Sequence, residues 1–379
     1  MSNIHNFLCG VIPQHMLIHV AEQDAGAAGR NARATLDEMR ELANGHGREP
    51  ALIQRAPGPK RPGTSRWVYD AQQQYILPGK LVANEHRQPQ AGMVGDVQAV
   101  EAFDGCGATT GFFAKVFGRR SIDGRDMPLV VTVHYGTGFQ NAMWNGHQMI
   151  FGDGDGILFN RFTGPLEVIG HELTHAVTQH AAGLGYSGQA GALNEHFADA
   201  FGLMVKQYAL GLHAGNSNWL IGDGLFGPAV KGKAIRSMAA PGTAYDDPLL
   251  GRDPQPRHMR DYVETADDHG GVHINSGILN YAFCRAAQML GGPPWGILGR
   301  IWYAALTERV GPHTSFQEFA CITVALAGEL FGVLGRAQRI LIKAWNAVGL
   351  PVTVYQRPPS LLCGGNPAPV VVADGQPQH

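Results

Sequence analysis

His171-Glu172-Leu173-Thr174-His175 is the stretch of this chain whose residue types and spacing could do chemistry. Residues four apart on a helix stack on one face. His171 and His175 would therefore aim two imidazoles at one point, with Glu172 beside them. That set suits a zinc ion with a general base at hand. The alternative is two satisfied histidines on a core helix, and a second segment narrows the choice. Around Ala192-Leu193-Asn194-Glu195-His196-Phe197-Ala198-Asp199 the chain is apolar on most sides, yet Glu195 and Asp199 again share a face. Two buried carboxylates repel each other and both lose hydration. A cation and an imidazole remove the conflict. Glu195 can be a third ligand, and Asp199 can accept the second N–H of a ligand histidine. Three protein ligands and one open position describe a catalytic zinc rather than a structural one.

These residues need rigid carriers. Leu166, Val168, Ile169, Leu173, Ala176 and Val177 fit one buried helix, and a second starts near Ala192. Asn275 opens a helix that reaches about Leu290, Ser315-Phe316-Gln317-Glu318 has the capping-box pattern, and a last helix covers residues 337–348. Residues 231–253 read as a long polar loop containing Arg236. Upstream, residues 66–165 read as strands and turns, with a helix within 96–117 and a β-rich run over 128–135. Asn141-Ala142 follows a turn and would lie at a sheet edge; alone, Asn141 would be a turn residue. Gly152-Asp153-Gly154-Asp155-Gly156 lacks the full spacing of a calcium or phosphate loop and reads as a turn.

The ends differ from this middle. Residues 1–50 read as a separate piece, with a charged amphipathic helix over 31–42. Residues 51–65 are rich in Pro, Gly and basic residues and read as an exposed linker, with processing expected between about 45 and 65. Residues 351–379 are rich in Pro and Gly and read as a disordered tail. A hydrophobic content of 44% supports sizeable cores, and a net charge of −2 without a long basic run points away from nucleic acid and anionic membranes. No apolar run reaches transmembrane length. The five cysteines are odd in number and widely spaced, so they do not read as a disulfide framework. The first residues lack the pattern of an ordinary signal peptide.

His171-Glu172-x-x-His175, followed by Gly191-Ala192-Leu193-Asn194-Glu195-x-x-x-Asp199, resembles the thermolysin family of neutral metallopeptidases. Asn141-Ala142-Met143-Trp144-Asn145-Gly146, Arg236-Ser237-Met238 and Asp268-His269-Gly270-Gly271-Val272-His273 agree in order, so the resemblance covers roughly residues 60–350. It implies an α+β, two-domain fold: a β-rich N-terminal domain (66–165), a mainly α-helical C-terminal domain (166–350) and the active-site cleft between them. It implies a zinc-dependent endopeptidase that cuts before hydrophobic residues, with Glu172 taking the proton of a zinc-activated water. Tyr186 and His273 would donate to the oxyanion, with Asp268 orienting His273. Asn141 and Ala142 would pair with the substrate backbone by strand addition. Arg236 would bind the substrate carbonyl on the leaving side of the cut bond. Phe159, Phe162, Val168 and Ile235 would line an apolar pocket, with Phe162 bulkier than the family's usual leucine.

Ile12-Pro13-Gln14-His15-Met16-Leu17 resembles the prosegment motif of the protealysin-like subgroup, with Ile12 where the first of two prolines usually stands. The resemblance implies a removable prosegment that inhibits its own enzyme, and Cys9 could bind the zinc in that latent form. For calcium, Glu167 keeps one carboxylate of the family's paired site, but Lys206 stands where an acid is expected, so that site is expected to be missing. Partners would be peptide or protein substrates. The family favours secretion without an ordinary signal peptide, with a cytoplasmic location as the alternative. Two other functions fit the ligands: a zinc aminopeptidase, and a noncatalytic zinc-stabilised binding protein.

Overall fold

The computed structural model describes residues 9–44, 65–85 and 95–354. The expected processing region and the tail from residue 355 lie outside the described residues. The chain begins with β1 (Cys9–Gly10), α1 (Gln14–Gln23) and α2 (Ala27–Ala43). Next come β2 (Arg66–Asp70), β3 (Lys80–Asn84), α3 (Val97–Phe117), β4 (Leu129–Val133), β5 (Ala142–Trp144) and β6 (Met149–Phe151). These strands make one sheet in the order β1-β5-β6-β4-β2-β3, parallel at β2/β4 and β4/β6 and antiparallel elsewhere. The helical half follows: α4 (Leu166–Ala181), α5 (Gly188–Leu210), α6 (Asp268–Leu290), α7 (Ile297–Ala304), α8 (Phe316–Phe331) and α9 (Arg336–Asn346). No helix among the described residues is long and apolar enough to cross a membrane.

Three sequence expectations are corrected. Residues 9–44 are not a separate piece. Val11, Ile12, Met16, Leu17, Val20, Ala32, Leu36 and Met39 are buried in the same core as the sheet and helices. Their strand covers the edge of β5, which would otherwise present unpaired backbone groups. Residues 231–253 are not a plain polar loop. They contain β8 (Arg236–Ser237), paired with β7 (Leu220–Ile221), and Arg236 is only 2% exposed. Finally, α6 starts at Asp268 rather than Asn275, through a kink in which His269, Gly270 and Gly271 have positive φ. Gly-Gly reads as a helix breaker, and here it bends the chain so that His273 falls in the first regular turn.

Two charged clusters tie elements together. Glu167, fully buried in the first turn of α4, accepts from Lys206 Nζ of α5 at 3.1 Å, and Lys206 also reaches Asp223 Oδ2 at 3.4 Å. At the end of β4, His134 lies 2.9 Å from Asp153 Oδ1 and 3.2 Å from Asp96 Oδ1, and Asp96 also caps α3. The hydrogen bond and charge of Asp153, with Asp96, outweigh burial and raise the His134 pKa to about 9. His134 is therefore protonated in the fold. Its stabilisation is complete below its ordinary value of about 6.5 and is lost as pH rises through about 9. Between those limits the native chain is expected to lose about 1–2 kcal/mol more stability than a His134→Gln variant, after discounting for solvent screening. Urea unfolding at both pH values checks this, and equal losses would contradict it.

Candidate active site

The site depends on how closely α4 and α5 cross. A Cβ on Gly170 would sit 2.9 Å from Gly202 Cα, and one on Gly202 would sit 2.6 Å from the Glu167 carbonyl oxygen. Only glycines allow the two backbones this contact. The crossing places His171 and His175 of α4 against Glu195 of α5. Their ligating atoms all lie within 4.8 Å of one another, and all three residues are buried.

The outer nitrogens of the histidines fix their tautomers. His171 Nδ1 lies 2.9 Å from Asp199 Oδ1, and His175 Nδ1 lies 3.0 Å from Asn194 Oδ1. Both partners are acceptors, so each Nδ1 carries the proton and donates it. The two Nε2 lone pairs then face each other at 3.1 Å. That arrangement is repulsive without a cation between them, and it fits a metal with N and O ligands. Burial lowers the His175 pKa to about 4, which keeps it in the neutral form a ligand needs. Burial pushes the Glu195 carboxyl up, but His273, His175 and His171 outweigh it and hold it near 2.

Asp199 is the hub behind His171. It accepts from Arg236 Nε at 2.9 Å, Arg236 Nη2 at 2.8 Å and Asn280 Nδ2 at 2.8 Å. Burial opposes its charge, yet Arg236 and His171 hold its carboxyl well below the usual range. Arg236 is thus anchored on one side, and its Nη1 donates to the Val11 carbonyl at 3.1 Å.

Glu172 is fully buried beside the metal ligands, and its Oε2 accepts from the Trp144 backbone N–H of β5 at 2.9 Å. Burial, then the charge of Glu195, raise its pKa well above the ordinary value. On the far side, Tyr186 Oη donates to Glu195 Oε1 at 2.5 Å and lies 3.4 Å from His273 Nε2. His273 Nδ1 meets Asp268 Oδ1 at 2.7 Å, and its backbone N–H donates to Asp268 Oδ2 at 2.8 Å. Burial lowers the His273 pKa, but Asp268 and Glu195 outweigh it, so the net shift is upward.

Asn141 and Ala142 sit at the start of β5, and β1 pairs with that strand in register Cys9↔Trp144 and Gly10↔Met143. The edge expected to be open for a peptide is therefore covered by the chain's own residues. Phe159, Phe162, Val168 and Ile235 are all buried in the core, with the two phenylalanine rings 5.9 Å apart. The backbone of Cys9 forms β1, and its side chain lies outside the described part.

Sequence reasoning gave no role to three residues now found here. Asn194 and Asn280 orient His175 and Asp199; only the tertiary crossing of α4, α5 and α6 reveals this. His15 of α1 has both ring nitrogens shielded from solvent, with no hydrogen-bond partner among the described residues. Burial lowers its pKa to about 4, opposed by Asp268 and aided by His273 and Arg236. His196, polar in a helix that carries ligands, is a satisfied core histidine held by Asn280 and Trp302 at 2.8 Å each.

Comparison with known proteins agrees with this geometry. The family described as thermolysin metallopeptidase, catalytic domain, matches residues 59–179, and its alpha-helical domain matches residues 182–350. The chain is 45% identical over 346 residues to an extracellular metalloprotease of Pectobacterium carotovorum subsp. carotovorum, covering 91% of this chain and 97% of that protein. It is 45% identical over 290 residues to protease PrtS of a Photorhabdus species, covering 76% of each. A solved precursor of protealysin, a metalloproteinase from Serratia proteamaculans, matches with a TM-score of 0.80 and 45% identity, covering 90% of this chain and 99% of that one.

Proposed function

This chain belongs to the thermolysin family of metallopeptidases and is a metalloendopeptidase, and from that premise we propose that it is a zinc enzyme, held latent by its own residues 1–50, that cuts peptide bonds on the N-terminal side of hydrophobic residues. The observation that carries this reading is the meeting of His171, His175 and Glu195 beside the buried carboxylate of Glu172. Zinc on those three ligands would supply Lewis acidity, both to an attacking water and to the peptide carbonyl.

The chain's own residues do the rest. Glu172 takes a proton from the attacking water and passes it to the leaving nitrogen; burial and the Glu195 charge raise its pKa, which strengthens it as a proton acceptor. His273, whose pKa Asp268 and Glu195 raise against burial, donates to the developing oxyanion, and Tyr186 donates beside it. Asp268 orients the His273 ring. Asn141 and Ala142 pair with the substrate backbone, and Arg236, braced on Asp199, holds the carbonyl after the cut bond. Phe159, Phe162, Val168 and Ile235 shape the pocket for the apolar side chain that follows.

Latency rests on the covered β5 edge. Beyond β1, Tyr135 Oη donates to Glu38 Oε1 at 2.6 Å and the Gln140 N–H donates to Thr35 Oγ1 at 2.9 Å, so α2 is tied to the same body. The name of the Pectobacterium relative supports action outside the cell. The aminopeptidase alternative is disfavoured because the segment seated along β5, residues 9–12, is internal to the chain rather than its N-terminus. An N-terminally blocked peptide with one internal Leu decides: cleavage before that Leu, read by mass, supports an endopeptidase. An intact blocked peptide alongside trimming of its unblocked form would favour the aminopeptidase.

Lys206 sets its ammonium 3.1 Å from Glu167 Oε1, and a cation there would oppose calcium, so the paired calcium site is expected to be missing. Lys206→Met is expected to cost about 3–5 kcal/mol, because it strands the buried Glu167 carboxylate. Calcium chelation is expected to leave the native melting temperature unchanged. A large calcium-dependent shift in thermal unfolding would overturn this.

A further inference from the structure

We propose that residues 9–12 lie in the cleft in the direction and register of a substrate, so that Gly10–Val11 is a bond the zinc-loaded enzyme cuts in its own chain. The inference rests on the roles given above to Glu172, Asn141 and Arg236, and goes beyond them by naming a cleavage site inside the prosegment.

Two markers select the same bond. The first is the grip on the residues after it. The Val11 N–H donates to the Ala142 carbonyl at 3.1 Å. The Ile12 N–H donates to Asn141 Oδ1 at 3.0 Å, and Asn141 Nδ2 donates to the Ile12 carbonyl at 3.1 Å. Arg236 Nη1 donates to the Val11 carbonyl at 3.1 Å. If Arg236 holds the carbonyl of the residue after the cut, that residue is Val11. The second marker is Glu172, whose Oε2 accepts at 2.9 Å from the N–H of Trp144, the residue that pairs with Cys9 across β1 and β5. Val11 N would be the leaving nitrogen, on the strand that runs past the group that must protonate it.

Gly10 permits this approach. A Cβ there would sit 2.5 Å from Asn141 Nδ2, so any side chain would displace the amide that grips Ile12. Val11 and Ile12 are fully buried.

The reaction is ordinary amide hydrolysis. The oxygen of a water molecule bonds to the Gly10 carbonyl carbon, and Glu172 carries a water proton to Val11 N. The C–N bond then breaks, leaving a Gly10 carboxylate and a Val11 amine. Residues 11–44 stay docked through Asn141, Arg236 and the buried faces of α1 and α2. The nicked form is therefore a product-bound, still latent state, distinct from cleavage in the linker.

The test uses the full chain loaded with zinc, followed by intact mass and N-terminal sequencing. The expected result is loss of residues 1–10 with Val11 as the new N-terminus, at a rate independent of protein concentration, and no such product from a Glu172→Gln chain. A second readout needs no turnover. In the zinc-loaded Glu172→Gln chain, the Val11 and Ile12 amides are expected to exchange hydrogen at least ~100-fold more slowly than in an unstructured peptide, as backbone-paired groups do. Free exchange at both amides would overturn the register. So would a full-length chain that never yields Val11 as N-terminus, while a sample freed of residues 1–50 cuts a blocked peptide. If that freed sample cuts nothing, the failure lies in the proposed function instead.

Discussion

Glu172→Gln is expected to lower peptide hydrolysis by roughly 10²–10⁴-fold, the range supplied by a positioned general acid–base. The substitution is nearly isosteric, and its amide oxygen can still accept the Trp144 N–H that now meets Oε2 at 2.9 Å. The ligands His171, His175 and Glu195 are untouched, so bound zinc should remain. What disappears is the proton carrier between water and leaving nitrogen. The check is kcat with a blocked peptide, alongside zinc content, on protein freed of residues 1–50. An unchanged kcat would assign the observed hydrolysis to a contaminant.

Release of the N-terminal residues should give a comparably large effect in the opposite direction. β1 covers the β5 edge, and Val11, Ile12, Met16, Leu17 and Val20 are fully buried against the body. A tethered inhibitor acts at an effective concentration on the order of millimolar. Cutting the folded chain within residues 51–64 and separating the N-terminal fragment removes both the tether and the contacts. Hydrolysis of the blocked peptide is expected to rise at least ~10²-fold, and adding the fragment back should reverse the rise. Cutting after folding avoids asking the body to fold alone. Equal activity before and after separation would remove the inhibitory role of residues 1–50.

What the sequence made legible follows from local periodicity. His171 and His175 are one helical turn apart, as are Glu195 and Asp199, so their shared faces could be read without the fold. The grouping of the first three within 4.8 Å required the two helices to cross at those turns. That crossing depends on Gly170 meeting Gly202, a pairing across distant segments that no local pattern carries. The partners Asn194 and Asn280 were hidden for the same reason. The start of α6 was misread because Gly270-Gly271 signals a break, whereas the chain continues through the kink and carries His273 to Tyr186. Residues 9–44 looked separable because their composition is polar and charged on one face. Their other face completes the core, and which surface it covers is fixed by the β1/β5 register.

The most direct test of the central claim is a zinc titration of metal-stripped protein freed of residues 1–50, following hydrolysis of a blocked peptide with an internal Leu. Activity is expected to rise linearly and to stop at about one zinc per chain, as one three-ligand catalytic site requires. The same titration of His171→Ala should give no rise. Hydrolysis that persists in the metal-stripped sample, or zinc binding at full occupancy without hydrolysis, would contradict the assignment of His171, His175, Glu195 and Glu172 as the catalytic centre.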